Sequence, residues 1–168
     1  MPQVPQPGVD RIVAVPGHPL VVGVGPRRAD LVAHTAAAWA QASGAPLYFA
    51  YADASRVPEE EFADGTVRHV GIDPDADDDW QHTERDLRAW LDGLNLPVPW
   101  EFRYLAGRAD RALTHLARAV DACAIVVGAR RPHSSRFGVN RSVGQSLARH
   151  QHRPVLAVPL EVVDWKLQ

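Results

Sequence analysis

Four short apolar runs constrain this chain more than any other feature: LVVGV (20–24), APLYFAYA (45–52), ACAIVVG (122–128) and PVLAVPL (154–160). A strand with one wet face alternates apolar and polar residues, whereas a strand that is apolar throughout is buried on both faces, as in parallel sheets covered by helices. Parallel neighbours need a crossover connection, and helical-period segments lie between the runs. The pattern therefore predicts an α/β domain with a parallel sheet and helices on both sides.

The first helix is expected within RRADLVAHTAAAWAQASG (27–44), with Leu31, Thr35, Ala38, Trp39 and Ala42 on its apolar face and Gly44 as its stop. A second spans WQHTERDLRAWLDGLN (80–95), with Trp80, Leu87, Trp90, Leu91 and Leu94 inward and Asp77, Asp78 and Asp79 at its positive end. VPWEFRYLA (98–106) alternates as a fifth strand, ADRALTHLARAVD (109–121) and SVGQSLARHQ (142–151) are helical, and Pro154 prevents the last helix from continuing. Asp53 to Asp79 forms a long polar connection with a turn at Asp64-Gly65 and an extra strand or edge piece at TVRHVGI (66–72). Residues 1–18, with Pro2, Pro5, Pro7 and Pro16, predict an extended arm; 19–160 form one domain and 161–168 a tail.

Composition is ordinary for a globular protein, 46% apolar and 23% charged, which disfavours disordered and membrane classes. No apolar run approaches the ~20 residues of a membrane span, and MPQVPQPGVDR lacks the features of a signal peptide, so a cytoplasmic location is expected. The single cysteine, Cys123, sits in ACAIVVG as a small buried hydrophobe.

Charge is unevenly placed. Residues 1–102 carry 7 arginines against 16 acids, and residues 103–168 carry 11 basic residues against 4 acids. The arginines gather at Arg130, Arg131, Arg136, Arg141, Arg149 and Arg153. A local anion partner and a pair of solvated, oppositely charged faces both fit this distribution.

Other constellations favour structural readings. DPDADDDWQHTE (73–84) matches the carboxylate spacing of a calcium loop, but Asp78 stands where the sharp turn requires glycine, so a solvated helix entrance is expected. His150 and His152 lack partners for a metal and suit a helix end. GQSLA (144–148) lacks the second glycine of a nucleophile elbow and falls within a helix, and no phosphate-loop lysine motif is present, so an enzyme is disfavoured. Nucleic-acid binding is not expected, because no aromatic platform accompanies the arginines. Trp39, Trp90 and Trp100 are placed in the core, and Trp80 and Trp165 against tails or an interface.

The stretch GARRPHSSRFGVNRS (128–142) leaves an apolar strand and enters a helix, a place where backbone N–H groups can hold phosphate. Together with VVGV near the start, YLAGRADRALTHLARAVDACAIVVG and PVLAVP, it resembles the universal stress protein family from Pro19 to about Leu160. The resemblance implies a flavodoxin-like, adenine nucleotide alpha hydrolase-like sheet of five parallel strands in the order 3-2-1-4-5, and a homodimer through the last strand, Pro154 to Leu160.

Nucleotide-binding members carry G-x-x-G, nine residues, then G-S or G-T. Here Gly128 matches the first glycine, Ser142 the phosphate-contacting hydroxyl, and Val143 the residue after it. Arg131 and Arg141 replace the other two glycines, and Gly25 replaces the aspartate that meets adenosine. Arginine lacks the freedom of a loop glycine but is itself a phosphate ligand. The expectation is a non-enzymatic stress-response binding or regulatory module without strong ATP binding. The alternatives are a switch with weak ATPase activity, in which these residues hold ATP or another phosphorylated ligand, and an enzyme acting on a small phosphorylated compound.

Overall fold

Along each central strand, successive side chains serve opposite sides of one sheet. In the computed structural model, residues 2–6, 8–76, 78–130, 142–162 and 166 are described. Leu20 and Val22 of β1 (Leu20–Gly23) and Leu47 and Phe49 of β2 (Leu47–Asp53) face one way, and Val21 and Ala50 face the other. The first side is covered by α1 (Asp30–Ser43) and α2 (Trp80–Gly93). The second is covered by α3 (Ala109–Ala119) and α4 (Val143–His150). The result is three layers with two apolar cores, in which Phe49, Phe102, Leu87, Leu113 and Ile125 are almost wholly removed from water. Each such side chain stabilises the fold by about 1.5–3 kcal/mol relative to exposure.

The sheet is completed by β5 (Trp100–Ala106), β6 (Ala124–Ala129) and β7 (Val155–Pro159), and every pairing in it is parallel. Its order is β5-β2-β1-β6-β7. Counted among these five strands alone, that is the expected 3-2-1-4-5; the labels differ because two further strands are inserted after β2.

Those strands, β3 (Arg56–Glu61) and β4 (Val67–Gly71), form an antiparallel ribbon with a register shift between Pro58 and Glu60. β4 lies within the predicted TVRHVGI, while β3 falls in what the sequence presents as polar connection. The turn is where it was expected: Gly65 adopts φ +83°, and the Asp64 carboxylate accepts from the Thr66 N–H at 2.9 Å. Arg103 on β5 donates to the Asp64 carbonyl, tying the ribbon to the sheet.

The predicted face of α1 is corrected. The buried strip of α1 is Val32, Ala33, Ala36, Ala37 and Ala40, not the one through Leu31 and Trp39, which are 55% and 54% exposed. Alanine occurs on every side of this helix, so periodicity does not choose a face; small residues let the helix lie close to the sheet, and bulk goes outward. Trp80 is also more than a tail contact. It packs against His69 and Tyr104 and under the Arg56 guanidinium, 5.3 Å from its ring. As predicted, Asp79 caps α2, accepting from the His82 N–H, and Gly44 closes α1 with φ 71°.

Candidate functional site

At the carboxyl ends of the strands, the connection from β1 runs through α1 to β2 on one side, and β6 lies on the other. The resulting crevice is where open α/β sheets hold ligands. Here it is a cleft of about 560 Å³ whose walls include Val24, Val32, Leu113, Val127, Leu160 and the Tyr51 ring. Gly25, Gly128, Ser142 and Val143 all line it, so four of the six site residues expected from sequence meet at one place. Arg131 and Arg141 lie outside the described residues.

Gly25 opens a turn through Pro26, Arg27 and Arg28, closed by the Arg28 N–H donating to the Gly25 carbonyl at 2.9 Å. A Cβ built on Gly25 would meet nothing nearer than the Tyr51 ring at 3.8 Å. Glycine is thus not demanded there by space. What its presence removes is a carboxylate.

Space is short at Gly128. Its φ is not left-handed, but an added Cβ would lie 2.7 Å from Leu160 Cδ1 and 3.3 Å from Val32 Cγ2. The missing side chain makes the seat for Leu160, whose N–H donates to the Ala129 carbonyl at 2.9 Å just beyond β7. Ser142 caps α4, its Oγ accepting from the Gln145 N–H at 3.2 Å. That bond uses a lone pair and leaves the hydroxyl proton to donate.

The site also holds Arg27, Arg28 and Tyr51, which sequence reasoning did not assign to it, and Arg130, one of the arginines grouped for a local anion partner. Arg27 and Arg28 lie in the segment expected to begin the first helix; the helix instead starts at Asp30. The usable signal was VGVGPRR, a proline turn carrying two cations at the carboxyl end of a predicted strand. Both arginines are exposed, and their side chains make no hydrogen bond or ion pair among the described residues. Arg130 lies 3.7 Å from Glu161. Among the described residues lining the cleft there is no carboxylate.

Nearby acids are engaged elsewhere. Asp30 accepts from Trp90 Nε1 at 2.7 Å. Asp53 accepts from the Tyr104 hydroxyl at 2.6 Å and from Ser55. Burial acts to raise the Asp53 pKa, but the hydrogen bonds from Ser55 and Tyr104 outweigh it and hold the carboxyl below its ordinary value. Burial, reinforced by the bond to Asp53, pushes the Tyr104 phenol upward.

Outside the cleft, Ser146 of GQSLA is buried and donates to Asp110 at 2.6 Å, tying α4 to α3. His150 Nδ1 lies 2.8 Å from the Ser146 carbonyl, the helix-end contact expected of it. Arg153, grouped by sequence with the anion-binding arginines, is buried and donates to the Ala122 carbonyl at 2.7 Å. Cys123 is buried, and burial raises its thiol pKa.

These features define an α/β protein with a basic-rimmed cleft at the switch point of a five-stranded parallel sheet. The Universal stress protein family model matches residues 18–159, and the chain belongs to that family. Among solved structures it is similar to a universal stress protein from Archaeoglobus fulgidus, with TM-score 0.60 and 21% identity, covering 85% of this chain and 94% of that one. A universal stress protein from the same organism in complex with dAMP gives TM-score 0.57 and 23% identity, covering 84% and 97%. One in complex with cAMP gives 0.59 and 24%, covering 87% and 99%. No curated protein sequence gives a significant match.

Proposed function

We propose that this universal stress protein is a non-enzymatic binding and regulatory module of the stress response, and that its cleft takes a small phosphorylated ligand without binding ATP strongly. The observation that carries this reading is the cleft's chemistry. Among the described residues, Arg27, Arg28, Arg130 and the Ser142 hydroxyl border a largely apolar pocket whose lining includes no carboxylate, and Gly25 stands where nucleotide-binding members present an acid. Cationic forks and a helix N-terminus stabilise phosphate, while the missing acid removes an acceptor for adenosine hydroxyls. Relatives with dAMP and cAMP bound support a mononucleotide-sized occupant. Residues 19–160 act as the binding domain and 1–18 as an arm. Among the described residues no helix is long and apolar enough to cross a membrane, which fits the proposed cytoplasmic setting.

The test is calorimetric titration of ATP, with and without Mg²⁺, into nucleotide-free protein, beside an Arg131→Gly/Arg141→Gly variant carrying Gly25→Asp. The expected result is no strong heat from the parent and clear binding by the variant. Micromolar ATP binding by the parent would overturn the reading in favour of a nucleotide-dependent switch with weak ATPase activity.

A further inference from the structure

The two guanidinium groups of the β1–α1 turn, those of Arg27 and Arg28, are exposed cations that line the cleft. Neither side chain makes a hydrogen bond or ion pair among the described residues. Arg28 occupies the left-handed region at φ 51°, a conformation that costs a side-chain-bearing residue energy and that glycine would adopt freely. Pro26 and the 2.9 Å bond from Arg28 N–H to Gly25 fix the turn at the cleft, so the two charges are presented there rather than dispersed. A second set of anion-binding groups comes from the neighbouring strand: Arg130 just past β6, and Ser142 at the start of α4. The same cleft is lined by apolar side chains and the Tyr51 ring.

We infer that the cleft selects a ligand with two separate anionic groups, of the nucleoside bisphosphate class, in which one phosphate meets Arg130 and Ser142 and the other meets Arg27 and Arg28. This rests on the phosphate-ligand reading of the cleft and narrows it. A ligand presenting hydroxyls at the β1 side finds guanidinium donors and, among the described lining residues, no carboxylate to accept its protons. A second phosphate finds two forked donors and neutralises two neighbouring like charges. The flat base of such a ligand suits the apolar walls and the Tyr51 ring, and the volume lies in the range of small-molecule sites.

The experiment is calorimetry on the full chain at physiological salt with adenosine, AMP, adenosine 3′,5′-bisphosphate and inorganic phosphate. The variants are Arg27→Ala/Arg28→Ala and, as a surface-charge control, Arg111→Ala on the exposed side of α3. The bisphosphate is expected to bind about 10-fold or more tighter than AMP, because charge-assisted hydrogen bonds contribute on that scale. That advantage should collapse in the double variant and persist in the control. Both arginines are exposed, so folding is not at risk, and circular dichroism of the variant verifies it. Equal affinity for AMP and bisphosphate, or an advantage that survives the double variant, overturns the two-anion inference while leaving the phosphate cleft intact. Binding of neither AMP nor bisphosphate overturns the phosphate cleft and this inference with it.

Discussion

His69 illustrates how one hydrogen bond fixes a protonation state. Arg56 Nε–H is always a donor, and it lies 2.6 Å from His69 Nδ1, so that nitrogen must keep its lone pair and the ring must be neutral. Arg56 also pairs with Asp78, while Asp53 and Glu84 bear on the histidine from β2 and α2. Burial, then the Arg56 charge, push the His69 pKa below its model-compound value of 6.5, against the opposing pull of Asp53, Asp78 and Glu84. The unfolded ribbon therefore takes up a proton more readily than the folded one. This contribution to stability is complete above about pH 6.5 and is lost as pH falls through the lowered folded value. Hydrogen exchange at pH 7.5 and 5.5, after correction for intrinsic rates, should show selective loss of protection in β3 and β4 on acidification. His69→Phe should remove that selectivity; an unchanged pH response in this variant would refute the assignment. None of this was legible in RVPEEE and TVRHVGI, because the partners Arg56 and His69 are brought together only by ribbon pairing. Gly128 makes the complementary point. The sequence singled out Gly128 through a motif, and the close approach of Leu160, a residue 32 positions away in the numbering, was not legible there.

At the scale of elements, the apolar runs identified the sheet strands because burial on both faces leaves few polar positions in them. Helix orientation was less legible where the amphipathic signal was weak. α2 has two well-defined buried leucines, Leu87 and Leu91, and its predicted face holds; α1 is alanine-rich all round, and its predicted face does not. The difference can be measured by urea denaturation. Trp39→Gln, on the outward side, should change stability by no more than about 0.5 kcal/mol. Ala36→Leu, at a position with no exposure, should cost about 1–3 kcal/mol through overpacking. The reverse order of costs would mean that the helix packs through the Leu31–Trp39 side. The β3 strand escaped notice for another reason: a proline and three glutamates argue against a central strand, yet they are tolerated in a two-stranded ribbon with free edges.

For the whole molecule, β7 stands at one edge of the sheet, and Ala157 within it is exposed. Pairing of this edge with a two-fold mate would satisfy its unpaired backbone groups, as the family resemblance implies. Sedimentation at micromolar concentration should give a dimer mass, and Ala157→Glu, which brings like charges together across the two-fold axis, should shift it toward monomer. A monomeric parent would refute this mode of assembly. The strand order has a further consequence, in the time domain. β1 meets β2 soon after both leave the ribosome, but its other neighbour, β6, begins only at Ala124. At synthesis rates of about 5–20 residues per second, roughly 4–15 s separate the end of β2 from the end of β6. Throughout that interval the nascent chain carries an apolar strand with one side unsatisfied, so the centre of the finished sheet is the part of the newborn protein most in need of protection from its neighbours.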